Sequence, residues 1–134
     1  MATHLSSTKL QNGLPRTHFV GARNDGAPGN EINYWLDLFK LGHLKQHLDD
    51  VKDWSMSLSL GEQQRISFIR ILLNKPKWIV MDEPTSSLNS ALEKLVFGSL
   101  IKELKGVTII TVGHSESLKA YHSSIINVED FVEL

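Results

Sequence analysis

Asp82 and Glu83 stand side by side at the end of the apolar run WIVM, residues 78–81. If that run is a buried strand, the pair lies at its carboxyl end, where open α/β sheets place their sites. Asp82 suits a hard cation such as Mg²⁺, which prefers oxygen ligands and often keeps a water between itself and the carboxylate. Glu83, next in line, can orient and polarise an attacking water. The plainer reading is an acidic pair opening a solvated turn ahead of Pro84. Upstream, LSLGEQQR at 58–65 offers a helix start. Ser59 and Glu62 match the S-x-x-E capping box, in which two side chains satisfy orphan amides. The same start presents free amides, a hydroxyl and the close-approach residue Gly61 to a phosphate, although the Glu62 carboxylate competes with an incoming anion.

A second apolar run, VTIITVG at 107–113, ends at His114. A lone histidine after a strand is usually structural or on the surface. If the two runs are adjacent parallel strands, however, His114 and Glu83 share one edge of the sheet. An imidazole there can donate a hydrogen bond to a phosphate oxygen. Between them, Asn89 and Ser90 are N-cap candidates for the next helix, with Glu93 three residues after Ser90.

The elements that must position these residues follow from periodicity. EINYWLDLFKLGHLKQHL, from Glu31, spaces Ile32, Trp35, Leu36 and Phe39 as one helix face and is expected to stop at Gly42. A helix fits Glu62 to Leu73, ended by Asn74 and Pro76. KWIVMDE reads as a short strand, SALEKLVFGSLIKEL as a helix ending near Gly106, and VTIITVG as the second strand. SESLKAYH reads as a short helix leading into a third candidate strand, SIINV. Strand, helix, strand in this order implies a right-handed crossover and a parallel pair, so the fold class is α/β. Three regions are expected: a loop-rich segment at 1–30, a helical region at 31–75 and an α/β region at 76–134. The first is rich in Ser, Thr, Asn, Gly and Pro and is given no core of its own, although Phe19 and Val20 could pack on the rest.

The chain has 134 residues, a formal net charge of -1 and no cysteine. That charge gives no general reason to expect nucleic acid or anionic lipid as a partner. Without cysteine, disulfides and thiolate metal sites are excluded. No apolar run approaches the roughly 20 residues that span a bilayer. The opening MATHLSSTKLQNGLPRTHF lacks the apolar core of a secretory signal. A cytosolic chain, or one on the cytosolic face of a membrane, is expected. His43 and His47 have a helical metal spacing but no acidic ligand set in sequence, so a solvated helix face is the better reading. Trp35, Trp54 and Trp78 lack interleaved basic residues and read as core or interface. Lys102, Glu103 and Lys105 form an ordinary polar face.

In this order the residues resemble the carboxyl-terminal half of an ATP-binding cassette (ABC) ATPase domain. LSLGEQQR resembles its signature motif, WIVMDE its Walker B strand, SSLN its D-loop and GH its switch histidine, with residues 62–81 separating Gly61 from Asp82. The likeness runs from about Glu31 to the end. The form LSLGEQQR, preceded by Trp54 and followed by VGHSESLKAYH, is similar to a subgroup containing the peroxisomal fatty-acyl transporters and SbmA/BacA-like relatives. In that subgroup a transmembrane part normally precedes the ATPase domain.

The resemblance implies an incomplete P-loop NTPase fold, with ATP and Mg²⁺ as cofactors. It makes Ser59 and Gly61, with Glu62 beside them, contacts to the γ-phosphate of ATP held by a second ABC ATPase domain. Asp82 would serve Mg²⁺, Glu83 would be the base, and His114 would touch the γ-phosphate in cis. Ser86, Leu88 and Asn89 would form the D-loop. Asn89 stands where the family usually has Asp, and Leu60 and Glu62 replace the Gly and Gln of LSGGQ. Nothing in the sequence matches G-x-x-x-x-G-K-[ST]. Gln11 does not match the surroundings of the family's Q-loop glutamine. The expected function is therefore that of an ATP-hydrolysing part of a transporter, inactive alone, with a transmembrane domain as partner. One alternative is a non-hydrolysing partner lending its signature in trans. Another is half of an SMC-type DNA-repair ATPase, which should carry heptads and basic surface that this sequence lacks. A sheet without its phosphate-loop strand is also expected to leave an edge and an apolar face uncovered.

Overall fold

A computed structural model describes residues 2–5, 29–50 and 53–132. Among these residues the sheet has three parallel strands in the order β1-β2-β3: β1 is Ala2–Leu5, β2 is Trp78–Asp82 and β3 is Thr108–Val112. The central strand pairs Trp78 with Thr108 and Asp82 with Val112 on one side, and with Ala2 through Leu5 on the other. A strand at 2–5 departs from the loop expected for the opening segment. Four residues bounded by polar sequence carry too weak a period to announce a strand, and tertiary pairing supplies what propensity does not. Phe19, Val20 and Gln11 lie outside the described residues.

The core is built on the strand face that carries Ile79 and Met81, both fully buried. Helix α1, Gly29–Leu38, presents Ile32, Trp35 and Leu36 to this core, joined by Phe39 just beyond its end. The helix stops before Gly42: Lys40 takes a left-handed conformation (φ 60°) and the Leu41 amide donates back to Leu36 O at 2.7 Å. Gly42 instead opens a 3₁₀ turn, Gly42–His47, whose Leu44 is buried. After a single helical turn α2, Trp54–Ser57, comes the long helix α3, Leu60–Asn74, closed by Lys75 in the left-handed region. Its Ile66, Phe68, Ile69, Ile71 and Leu72 are buried. Helix α4, Ser90–Glu103, crosses between β2 and β3 and buries Val96, Phe97 and Leu100. Phe97 meets the edge of Phe68 at 5.4 Å and stacks on Tyr121 at 4.8 Å, so one ring ties α3, α4 and the turn after β3.

Two expectations near the end of the chain are corrected. The helix predicted over SESLKAYH is confined to one turn, α5, Glu116–Lys119. SIINV is not a strand: residues 123–127 are irregular, with Ile125 and Ile126 exposed, and a 3₁₀ turn follows at Val128–Phe131. The apolar run has strand character, but a strand exists only where a neighbour completes its ladder, and β3 pairs only with β2 among the described residues. On the opposite face of the sheet, among the described residues, Trp78, Ile110 and Val112 alternate and are exposed.

Among the described residues, buried charge is confined to one place. Glu93 on α4 is 7% exposed and accepts a hydrogen bond from Thr85 Oγ1 at 2.7 Å, pinning the loop after β2 to the helix. Burial, and then the Glu93 charge, push the Tyr121 hydroxyl above its ordinary value. Thr85→Val would keep the shape but leave a buried carboxylate unpaired. The expected result is a loss of about 1–3 kcal/mol in urea unfolding with unchanged slope; an unchanged midpoint would remove this contact from the account.

Candidate active site

The loop from Asp82 to Asn89 carries most of the candidate chemistry. Asp82 sits at the carboxyl end of β2, exposed, and its carboxylate makes no hydrogen bond or ion pair among the described residues. Glu83 takes a left-handed backbone (φ 46°), which costs a non-glycine residue about 1–2 kcal/mol. Its amide donates to Val112 O at 2.8 Å, which pins this turn onto the end of β3. Its carboxylate Oε1 lies 2.7 Å from His114 Nδ1. Because an ionised carboxylate only accepts, Nδ1 carries the proton in this contact, and Nε2 on the other side of the ring is not used by it. Gly113 fits under this pair: an added Cβ would sit 3.0 Å from Leu118 Cδ1 and 3.8 Å from Glu83 Oε2. Adjacent parallel strands thus bring Glu83 and His114 together, as their positions at the strand ends predict.

The second turn starts α3. Ser59 and Glu62 form the complete capping box: the Glu62 amide donates to Ser59 Oγ at 3.2 Å and the Ser59 amide to Glu62 Oε2 at 2.9 Å. The other carboxylate oxygen, Oε1, lies 2.9 Å from His43 Nε2. Burial would raise the Glu62 pKa, but hydrogen bonds from Ser59 and His43 and the His43 charge outweigh it and hold the carboxyl below its ordinary 4.5. Glu62 therefore contributes stability above that value, and the contribution is lost as pH falls through the lower folded pKa. Glu62→Gln is expected to lower stability by about 1 kcal/mol near neutral pH. That deficit should shrink in urea titrations run below the ordinary 4.5; a deficit independent of pH would contradict it.

Arg65 locks the same turn onto α1, donating from Nε to Gly61 O at 3.1 Å and from Nη1 to Phe39 O at 2.8 Å. Gly61 has a structural reason for lacking a side chain. A Cβ there would lie 2.9 Å from Ser87 O and 3.6 Å from Leu88 Cδ2, so α3 starts directly against the loop after Glu83. The close approach read from the sequence is made here by the chain's own backbone.

The remaining candidates divide. Ser86 is exposed and accepts from the Gln64 side chain, whereas Leu88 is half-buried against the core. Asn89 caps α4 by accepting from the Leu92 amide at 2.9 Å. Ser90 is the first helical residue, and Glu93 turns to Thr85, so a Ser90–Glu93 capping box does not form. No hydrogen bond among the described residues joins Ser59 or Glu62 directly to Glu83 or His114. His43 and His47 face different partners, Glu62 and Asp50, and no group of metal-ligating residues is present among those described. Sequence reasoning missed Gln64 and the pairing of His43 with Glu62, since their partners lie 19 or more positions away in the chain.

A parallel sheet with an acidic pair at the carboxyl end of its central strand, faced by a histidine from the next strand, defines an α/β protein with a candidate site at the strand ends. The profile of the ABC transporter family matches residues 3–86, and the chain belongs to that family. An uncharacterised ABC transporter ATP-binding protein of Haemophilus influenzae is 42% identical over 71% of this chain. ABC transporter D family member 2, chloroplastic, of Arabidopsis thaliana is 36% identical over 81% of it. The match spans only 16% and 17% of those two relatives. A bacterial Atm1-family ABC exporter, solved with ATP bound, superposes with a TM-score of 0.62 at 25% identity, covering 78% of this chain and 19% of that one. The fold is accordingly that of part of a P-loop NTPase domain. No described helix is long and apolar enough to cross a membrane.

Proposed function

We propose that this chain is the distal portion of an ABC transporter ATP-binding domain and that its two turns serve different ATP molecules. The Glu83–His114 contact at 2.7 Å carries the reading. It holds a carboxylate and an imidazole at one sheet edge beside Asp82, which has no partner among the described residues. A partner that only lends its signature has no use for that arrangement.

Mg²⁺ bound with ATP would neutralise phosphate charge as it develops. Asp82 fits such a cation, being exposed and making no hydrogen bond or ion pair among the described residues. Glu83 would position and polarise the attacking water. With Nδ1 turned to Glu83, His114 would present Nε2 to a phosphate oxygen. Ser59 Oγ accepts from the Glu62 amide in the cap, which leaves its own proton for a γ-phosphate across a dimer. Ser86, Leu88 and Asn89 would form the loop that communicates between the two sites. The assembly would include a second ABC ATPase domain and a transmembrane domain, placing the chain on a cytosolic membrane face. Without a phosphate-binding loop in its sequence, the chain would not turn ATP over alone.

The test is complementation. The purified chain is mixed with a polypeptide carrying the phosphate-loop portion of a D-family ATP-binding domain, and MgATP turnover is measured. Turnover should require both components and fall with Ser59→Ala. Turnover indifferent to the added chain would overturn the reading.

A further inference from the structure

Among the described residues the Ser59 turn and the loop after Glu83 share no direct hydrogen bond, yet one side chain spans them. Gln64, on α3, donates from Nε2 to Ser86 Oγ at 2.9 Å and, more weakly, to Glu83 O at 3.5 Å. Its Oε1 accepts from the Ser87 amide at 3.0 Å. Both halves of the amide are thus spent on one loop, a combination that neither Glu nor an apolar residue of the same length reproduces. Two further contacts make the junction rigid. Gly61 lets the helix start abut Ser87 O, and Arg65 fixes the Gly61 carbonyl. Other ties of the loop include the Glu83 amide to Val112 O at 2.8 Å, the Ser86 amide to Glu83 O at 3.4 Å, the Leu88 amide to Thr85 O at 3.0 Å, Thr85 to Glu93 and the Asn89 cap.

We propose that Gln64 is a positioning residue that couples the Ser59 turn to the loop following Glu83, so that displacement of one is carried to the other. The functional meaning of the coupling rests on the reading above, in which the two turns serve different ATP molecules. Gln64 then transmits the state of one site to the carboxylate of the other without touching either nucleotide.

The experiment uses the full chain and no nucleotide. Ser59→Ala perturbs the first turn, and amide chemical shifts of Ser86, Ser87 and Leu88 report the response. The perturbation should reach these amides in the otherwise unaltered chain. It should fall at least about fivefold in a Gln64→Leu background, the signature of coupling in a double-mutant cycle. Gln64→Glu keeps the acceptor for the Ser87 amide and loses the donor to Ser86, so it should retain part of the response. A response of equal size in the Gln64→Leu background, or none in the otherwise unaltered chain, would overturn the proposal. Should Gln64→Leu fail to fold, Gln64→Glu decides: a reduced response supports the coupling and an undiminished one overturns it. A merely stabilising Gln64 would lower the unfolding midpoint without changing how the shift propagates. Because no nucleotide is present, absence of ATP turnover in the complemented assembly would overturn the functional reading separately.

Discussion

Glu83→Gln should abolish ATP turnover in an assembly containing this chain while leaving nucleotide binding in place. A glutamine of nearly the same size can still accept from His114 Nδ1, so the 2.7 Å contact has a neutral counterpart. Only the charge that polarises water is lost, and positioned bases contribute about 10²–10⁴-fold to rate. The expected result is a fall in kcat of at least about 100-fold, with ATP affinity within about twofold. A kcat within threefold of the parent, on the scale of such effects, would remove Glu83 from the chemistry. The backbone supports the role: a carboxylate-bearing residue holds a left-handed conformation that glycine would adopt without strain. The Val112 carbonyl and the His114 ring keep it there.

The second large effect concerns the core. Phe97→Ala should cost about 3–5 kcal/mol, because truncating a fully buried aromatic leaves a cavity that its neighbours fill only in part. Phe97 is the ring on which Phe68 and Tyr121 converge, with His122 at 6.2 Å. His122 in turn binds the Leu118 carbonyl and Thr111 Oγ1, both at 2.8 Å, and so ties the turn after β3 to the strand. Domains of this size are stable by about 5–15 kcal/mol, so the loss is a large fraction of the total and should lower the unfolding midpoint strongly. Urea unfolding followed by circular dichroism reads this directly. A midpoint close to that of the parent would show that the aromatic cluster is not the joint described.

What the sequence made legible follows from signal length. β2, β3, α3 and α4 announce themselves by apolar runs bounded by Pro76, Asn89 and Gly106, and the parallel pairing follows from their order. The meeting of Glu83 with His114 was readable because both sit at strand ends in that pairing. β1 was not readable, since four residues among polar neighbours acquire strand structure only from the edge of β2. SIINV failed in the opposite sense: its side chains favour a strand, and no described neighbour offers a ladder. Gly42 misled because the helix stop was made by Lys40, a residue with no turn signature. Gln64 was invisible because its partners lie 19 to 23 positions away, a distance set by the fold.

The central claim we propose is that these 134 residues carry the water-activating and signature turns of an ABC ATPase without its phosphate-binding loop. MgATP turnover by the purified chain alone, beside its Glu83→Gln variant, tests it most directly. The account predicts no turnover above the blank in either. Turnover in the parent that Glu83→Gln abolishes would contradict it, because a phosphate-binding surface would then have to exist within these 134 residues.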